Sequence, residues 1–420
     1  MLVNGLGAQN KKKNWEVGVC MKRRIISLLM VVLMAVAVMI TAAGCRREDT
    51  EPKTGGDTII IGGAMSLTGI QGPLDAPAIE GIEVAIDEIN ASGGINGKML
   101  EFRNMDSKSV SATAAEVAKQ LIDQGAVAII TSSDYDFGGP AARAAQEAGI
   151  VGISPSASSP LFGSTMLGDK QFTLSMWNTT MGAVMAEKAY VKDGLKTCYV
   201  ITDDFIDYTK SLSRYFVQCF ERLGGKILRE DVFSQGKVDT AALIAHYKAL
   251  PEKPDFIYIS SYMPDLGTII KEFRTAGIDS PIYGGDAYDD PALFELLGPE
   301  FGNKIYWDSH SFNSEEAVPG FNEYNAAYKK KHGKDVDAPW SMAGYDVVMV
   351  LAEAMRAVGT DGDAMARYME ENTFDLLTGR LDWSDAASGH EPNKAAAVME
   401  LVNGKPVFIE WATPEYLPRP

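Results

Sequence analysis

The chain has 420 residues, 46% apolar and 23% charged, a balance that excludes a disordered chain and is too long for one small core. Its formal charge is −17, yet residues 1–44 hold six Lys/Arg against one acid, a net +5 that leaves −22 on the remainder. So acidic a body is repelled by nucleic-acid phosphates and by anionic lipid, so no nucleic-acid partner is expected.

Residues 1–20 precede a natural-looking start at Met21 and read as an upstream extension. Met21-Lys22-Arg23-Arg24 is a basic segment, and the apolar run from Ile25 to Ala43 ends in small residues, so 21–44 reads as an export signal. The run is also long enough for an uncleaved membrane anchor. Either reading places the body outside the cytoplasmic membrane. Residues 45–57, polar with Pro52 and paired Gly55-Gly56, read as a flexible tether.

Ile59–Lys98 then sets the pattern for the rest. Ile59-Ile60-Ile61 suits a parallel strand buried on both faces. Gly62-Gly63 are expected to let the backbone leave the sheet, with Ser66, Thr68 and Gly69 in a long polar turn. Ile79, Ile82, Val84, Ala85, Ile86 and Ile89 roughly follow helical spacing, closed by Asn90 and Gly93-Gly94. Strands at 99–106, 126–130 and 150–153 alternate with helices at 110–124 and 140–148. A second series runs from a helix at 179–192 through strands at 197–201, 226–233, 256–259, 281–284 and 304–307. Helices at 209–222, 240–250, 264–276 and 291–297 separate them. Such alternation implies right-handed parallel βαβ units, hence two doubly wound α/β lobes. The tail holds helices at 319–332, 341–358 and 364–371, then strands at 381–383, 397–402 and 407–411, the last two joined by an Asn403-Gly404 turn.

Ligands of open α/β sheets bind beyond the carboxyl ends of strands. In the first lobe those loops contain Thr68, then Thr131–Tyr135, then Ser154–Ser159; they offer hydroxyls and helix-start amides that suit a carboxylate. In the second lobe they contain Asp203–Tyr208, Ser260-Ser261-Tyr262 and Gly285-Asp286-Ala287-Tyr288, whose carboxylates and phenols suit an ammonium. The split matches a zwitterionic amino acid clamped between lobes. Each residue also has a plainer reading: the serines as helix caps, Tyr208 and Tyr262 as packing, Asp286 as a turn residue.

The body cysteines, Cys198 in a strand and Cys219 on the next helix, are read equally as a disulfide or as two buried thiols. No G-x-S-x-G elbow, P-loop or G-x-G-x-x-G is present. His246, His310, His332 and His390 are scattered singly with no metal-ligand spacing, so neither enzyme chemistry, nor metal, nor cofactor is expected.

Leu67-Thr68-Gly69, Gly81, Ala85, Ile89-Asn90 and Gly93–Lys98 resemble the first βα unit of the branched-chain amino-acid-binding family of ABC-transporter solute receptors, with Met65 where that family usually has Pro. The resemblance implies a type I periplasmic-binding fold whose lobes are joined by a three-crossing hinge. Residues 58–175 with 312–374 would form one lobe, and 176–311 with 375–420 the other. It also sharpens the site. The loop 153–160 (ISPSASSP) resembles the family's carboxylate-holding "ISP-x-A-T-x-P", pointing to Ser156 and Ser158, beside Ser154 of the same strand-end loop as a further ligand candidate. Residues 261–265 resemble "G-Y-Y-P-E" and point to Tyr262; 284–298 point to Asp286 for the α-ammonium; 206–212 point to Tyr208, although Thr209 replaces a Gly. The loop after the third strand departs from the family's Gly-rich run, leaving Ser133 or Tyr135 as the contact. Leu74 falls near the position of a family aromatic. Thr41–Cys45 resembles a lipobox, with Ala42 where Leu is usual, which would make Cys45 the lipidated mature N-terminus. The implied function is a monomeric, lipid-anchored extracytoplasmic receptor. It closes on an amino acid or similar small solute and delivers it to ABC permease transmembrane subunits with cytoplasmic ATPases. A ligand-sensing domain signalling to a membrane partner is the alternative.

Overall fold

The computed structural model describes residues 58–420; the extension, export signal, Cys45 and the tether lie outside them. Among the described residues no helix is long and apolar enough to cross a membrane.

The first sheet has strand order β2-β1-β3-β4-β5 and is wholly parallel. Its strands are β1 (Ile59–Ala64), β2 (Leu100–Asn104), β3 (Ala126–Thr131), β4 (Val151–Ser154) and β5 (Gln171–Thr173). Gly62 and Gly63 do not end β1 but lie inside it. A Cβ on Gly62 would stand 2.8 Å from Ile129 Cδ1, and one on Gly63 2.6 Å from Phe102 Cζ, so the glycines make room for neighbouring strands' side chains.

Helix α1 (Gly72–Ala91) begins well before Ile79, because Pro73 sits in a first turn whose N–H groups need no helical partner. α1 and α11 (Trp340–Val358) cover one face of the sheet, where Ile61, Ile82, Ile86, Ile130 and Val347 share a core. α2 (Ser111–Asp123) and α3 (Tyr135–Glu147) cover the other through Leu121, Ile129 and Ala145. α3 starts five residues before the expected Pro140, which is accommodated inside its second turn. The short α4 (Ser164–Leu167) and the edge strand β5 carried too few residues to show a period.

The second sheet has order β14-β13-β10-β9-β8-β6-β7. Parallel β6 (Thr197–Asp203), β7 (Lys226–Phe233), β8 (Phe256–Ser260), β9 (Ile282–Gly284) and β10 (Ile305–Ser309) are extended by antiparallel β13 (Ala396–Val402) and β14 (Lys405–Ala412). Asn403 (φ 52°) and Gly404 (φ 74°) both take the left-handed conformation that an Asn-Gly hairpin needs. α5 (Asn178–Glu187), continued by a π turn over Lys188–Lys192, and α6 (Asp207–Arg222) pack on one face. α7 (Thr240–Lys248), α8 (Asp265–Thr275) and α9 (Pro291–Phe301) pack on the other. Cys198 and Cys219 are both free and buried in the core under α6, so the open choice falls to two thiols.

The chain crosses between the lobes after β5, after β10 and after β12. α10 (Phe321–His332), α11 and α12 (Gly362–Glu371) belong to the first lobe. The hairpin β11 (Thr373–Leu376) with β12 (Gly379–Asp382) differs from the expectation that 375–420 joins the second lobe: Leu381 and Trp383 are buried in the first-lobe core together with Phe374. At the hinge, buried Lys394 donates to Leu174 O (3.1 Å) and Thr378 Oγ1 (2.6 Å), and Trp383 Nε1 donates to Thr173 O (3.1 Å), tying the first crossing to the third.

Candidate ligand-binding site

In the first lobe, β1, β3 and β4 end on loops arranged by one buried carboxylate. Asp75, in the first turn of α1, accepts from Ser66 N (2.7 Å), Ser132 Oγ (2.5 Å) and Ser133 N (2.9 Å), bonds that oppose the upward pull of burial on its carboxyl. Ser154 Oγ donates to Ser132 O (3.0 Å) and accepts from Ala157 N (3.0 Å), so this hydroxyl shapes the following loop. Ser133 and Ser156 are buried; the Ser133 side chain lies against Asp75, and Ser156 Oγ has no hydrogen-bond partner among the described residues. Ser158 is buried and its carbonyl accepts from Asn178 N (2.7 Å) at the first crossing.

The second lobe supplies the facing wall. Asp286 follows β9 and is buried; its Oδ2 meets Nε2 of fully buried His310 (2.8 Å), and its Oδ1 is unpartnered among the described residues. Asp308, at the adjacent end of β10, is fully buried with neither oxygen partnered among the described residues; burial, then the Asp286 charge, drives its carboxyl well above the usual range. Tyr208 OH accepts from Ala287 N (3.2 Å), and its ring lies 5.2 Å from that of Tyr262. Burial raises both phenols well above 10, so they remain protonated donors.

The walls meet across the cleft. Tyr262 OH donates to Asp134 Oδ2 of the first lobe (2.7 Å), which also accepts from Gln71 Nε2 (2.5 Å). Asp134 occupies the N-cap position of α3, yet its side chain caps no helix amide; it faces the cleft instead. Burial pushes its carboxyl up to about 7, with the Asp286 and Asp136 charges adding and the Tyr262 and Gln71 bonds opposing. Leu74, Phe137 and Trp340 pack in one cluster with Ile206, Tyr208 and Tyr262, closing the cleft with apolar surface. At the rim Asp207 N donates to Asp136 Oδ2 (2.9 Å) and Ser159 Oγ donates to Asp207.

Of the residues expected from sequence, Leu74, Ser133, Ser156, Tyr208, Tyr262 and Asp286 gather at this cleft, with Ser154 and Ser158 in its supporting loop. Two stand apart. Thr68 is exposed and donates to Asp106 Oδ2 (2.8 Å). Tyr135 turns back onto its own lobe, accepting from Arg143 Nη2 (3.2 Å) and packing near Ala142 and Phe162. Gln71, Asp75 and Asp308 go unmarked in the sequence reading, Asp134 lies within its Thr131–Tyr135 loop without a role, and His310 reads there as a scattered histidine. For Asp134 and the β10 pair the strand-end rule held the signal, since both loops follow parallel strands.

A model of the periplasmic binding protein family matches residues 58–406. The leucine-, isoleucine-, valine-, threonine-, and alanine-binding protein of Pseudomonas aeruginosa is 24% identical over 330 residues, 78% of this chain and 86% of that one. Among solved structures, the branched-chain amino acid transporter substrate binding protein LivJ of Streptococcus pneumoniae, in complex with isoleucine, superposes with a TM-score of 0.77 at 27% identity, covering 85% of this chain and 100% of the other. The leucine binding protein LivK of Thermotoga maritima gives 0.76 at 26%, covering 85% and 99%. Two doubly wound lobes, a three-strand hinge and a polar cleft at the strand ends thus coincide with the match over most of the chain, and the chain belongs to the periplasmic binding protein family, a family of extracytoplasmic solute receptors and not of enzymes.

Proposed function

We propose that this receptor of an ABC importer binds a free amino acid, with the α-carboxylate on the first lobe's serine loops and the α-ammonium at Asp286. One observation carries the reading: the buried, unpartnered hydroxyl of Ser156 lies on a strand-end loop of one lobe and the buried, unpartnered Asp286 Oδ1 on a strand-end loop of the other. Buried polar groups are rarely left unpaired, so they mark where a ligand's own donors and acceptors fit. The amino-acid-binding names of the relatives support the same class. Ligand contacts on both lobes would favour the closed form that the permease recognises. The moving bodies would be residues 58–175 with 312–374, and 176–311 with 375–420, except that the β11–β12 hairpin and Trp383 travel with the first lobe. We infer further that Cys45 carries a lipid that holds a monomeric receptor at the outer face of the membrane.

The test is calorimetric titration and thermal unfolding of the full chain against the common amino acids. A true ligand at a hundred times its Kd raises stability by about 2.7 kcal/mol. Asp286→Ala is expected to abolish the shift, while a ligand that binds Asp286→Ala unchanged sinks the ammonium assignment. Cys45→Ser should move the protein from the membrane fraction to the soluble one; retention in the membrane would refute the anchor.

A further inference from the structure

The cleft contains more negative charge than one α-ammonium needs. Asp134 and Asp286 come from opposite lobes and are both buried, and each charge is felt by the other's neighbourhood: Asp286 acts on Asp134, and both act on Tyr262. Among the described residues neither is ion-paired with a lysine or arginine; Asp134 has only Gln71 and Tyr262, and Asp286 has His310 on one oxygen with the Tyr208 phenol beside it. Asp136 adds a further acid on Asp134's own helix. Gln71 spends its amide nitrogen on Asp134, which leaves its Oε1, fully buried, as another acceptor without a partner among the described residues. The Asp134 carboxylate is turned away from the helix amides that an N-cap Asp ordinarily accepts from, although they lie within one turn. A cleft meant for an aliphatic side chain gains nothing from a second buried carboxylate, since burying an unpaired charge is among the costliest things a fold can do.

We propose that Asp134 and Gln71 recognise a second, cationic nitrogen on the ligand, so that the receptor selects a diamino or guanidino amino acid over an aliphatic one. This rests on the amino-acid reading above and adds the side-chain class. In the closed cleft the α-ammonium lies at Asp286 and the side-chain cation at Asp134. Its N–H groups donate to the carboxylate and to Gln71 Oε1, which a point charge on a flexible stem or a planar guanidinium can both do. The cation also relieves the repulsion between the two carboxylates, so closing the lobes becomes easier once it is bound.

The experiment is titration calorimetry of the full chain with lysine, ornithine, arginine, leucine and putrescine, repeated on Asp134→Asn and Tyr262→Phe. At least one of lysine, ornithine and arginine is expected to bind tenfold or more tighter than leucine. In Asp134→Asn that cationic ligand should weaken on the order of a hundredfold relative to leucine, and leucine itself should hold or tighten. Tyr262→Phe removes the cross-cleft bond but keeps the carboxylate, so the preference for the cationic ligand should survive it; its loss there would assign the effect to closure and overturn the proposal. Leucine binding as tightly as the three cationic ligands overturns the proposal and leaves the amino-acid reading standing. Putrescine binding more tightly than any amino acid overturns the carboxylate seat, and binding of none of the five overturns both.

Discussion

Replacing Asp134 with Asn should remove most of the pH dependence of cleft closure in the ligand-free protein. In the closed cleft this carboxyl is held up to about 7 against an ordinary 3.8, chiefly by burial. The groups facing it are Gln71 and Asp136 from its own lobe and Tyr262 and Asp286 from the other. Opening returns it to water and to its ordinary range. The closed form therefore holds an extra proton between the two values, so closure is favoured on the acid side and weakens as pH rises through 7. From pH 5 to pH 8 the linkage integrates to about 3 kcal/mol, on the order of a hundredfold in the closed-to-open ratio. Asn keeps a carbonyl oxygen that can accept from Gln71 Nε2 and Tyr262 OH, so the variant retains the bonds and loses only the titration. Small-angle X-ray scattering of the ligand-free chain reads the result as a radius of gyration that grows between pH 5 and pH 8 in wild type and stays level in the variant. Equal growth in both, or a wild type that does not respond, would refute the assignment to Asp134.

Asp75→Ala strands Ser66 N, Ser133 N and Ser132 Oγ in a buried site, and should cost about 3 kcal/mol or more in denaturant melts while weakening every ligand together. Gly344→Ala would place a Cβ 2.0 Å from Ala78 O where α11 crosses α1, and Gly81→Ala one 1.7 Å from Ser341 O; each should destabilise by about 3 kcal/mol, read from calorimetric midpoints. Burial pushes the Lys394 ammonium down to about 8 from 10.5, so below pH 8 it is charged and costly in the fold. Above that the native state sheds the proton first, and between pH 8 and pH 10 wild type should gain about 2 kcal/mol of stability relative to Lys394→Met. With Cys20 and Cys45 replaced by Ser, the native chain should show no thiol reactive to a disulfide reagent at pH 8, because burial raises the Cys198 thiol well above its ordinary value and Cys219 to about 12. Two thiols should appear on unfolding.

The alternation of strands and helices was legible because buried parallel strands such as Ile59-Ile60-Ile61 and Phe256–Ile259 and their amphipathic helices differ in period. What was not legible is where a side chain points once its loop is built. Thr68 matched a ligand-loop pattern, but Asp106 on the neighbouring loop takes its hydroxyl outward. Tyr135 and Asp134 are adjacent, and the helix start that turns Tyr135 back onto Ala142 and Phe162 aims Asp134 into the cleft. His310 looked like an isolated histidine because its partner, Asp286, is brought to it only when β9 and β10 pair. The resemblance implies a passage to the second lobe at 375, in the middle of the hairpin at 373–382, whereas Leu381 and Trp383 are buried against the first.

The composition of the cleft indicates why such a receptor waits for its ligand. Closure buries Leu74, Phe137 and Trp340 against Tyr208 and Tyr262, and each well-buried apolar side chain contributes roughly 1.5–3 kcal/mol. Alone, that would hold the lobes together with or without solute. Opposing it are the desolvation of the buried carboxylates and, secondarily, their mutual repulsion, the causes that raise the Asp134 carboxyl. Because the two terms oppose each other, the ligand's differential contacts of a few kcal/mol can shift the hinge. A solute that supplies only more apolar contact leaves the repulsion in place. One that carries positive charge to both Asp134 and Asp286 removes it, which ties the free energy of closure to the same groups that set selectivity.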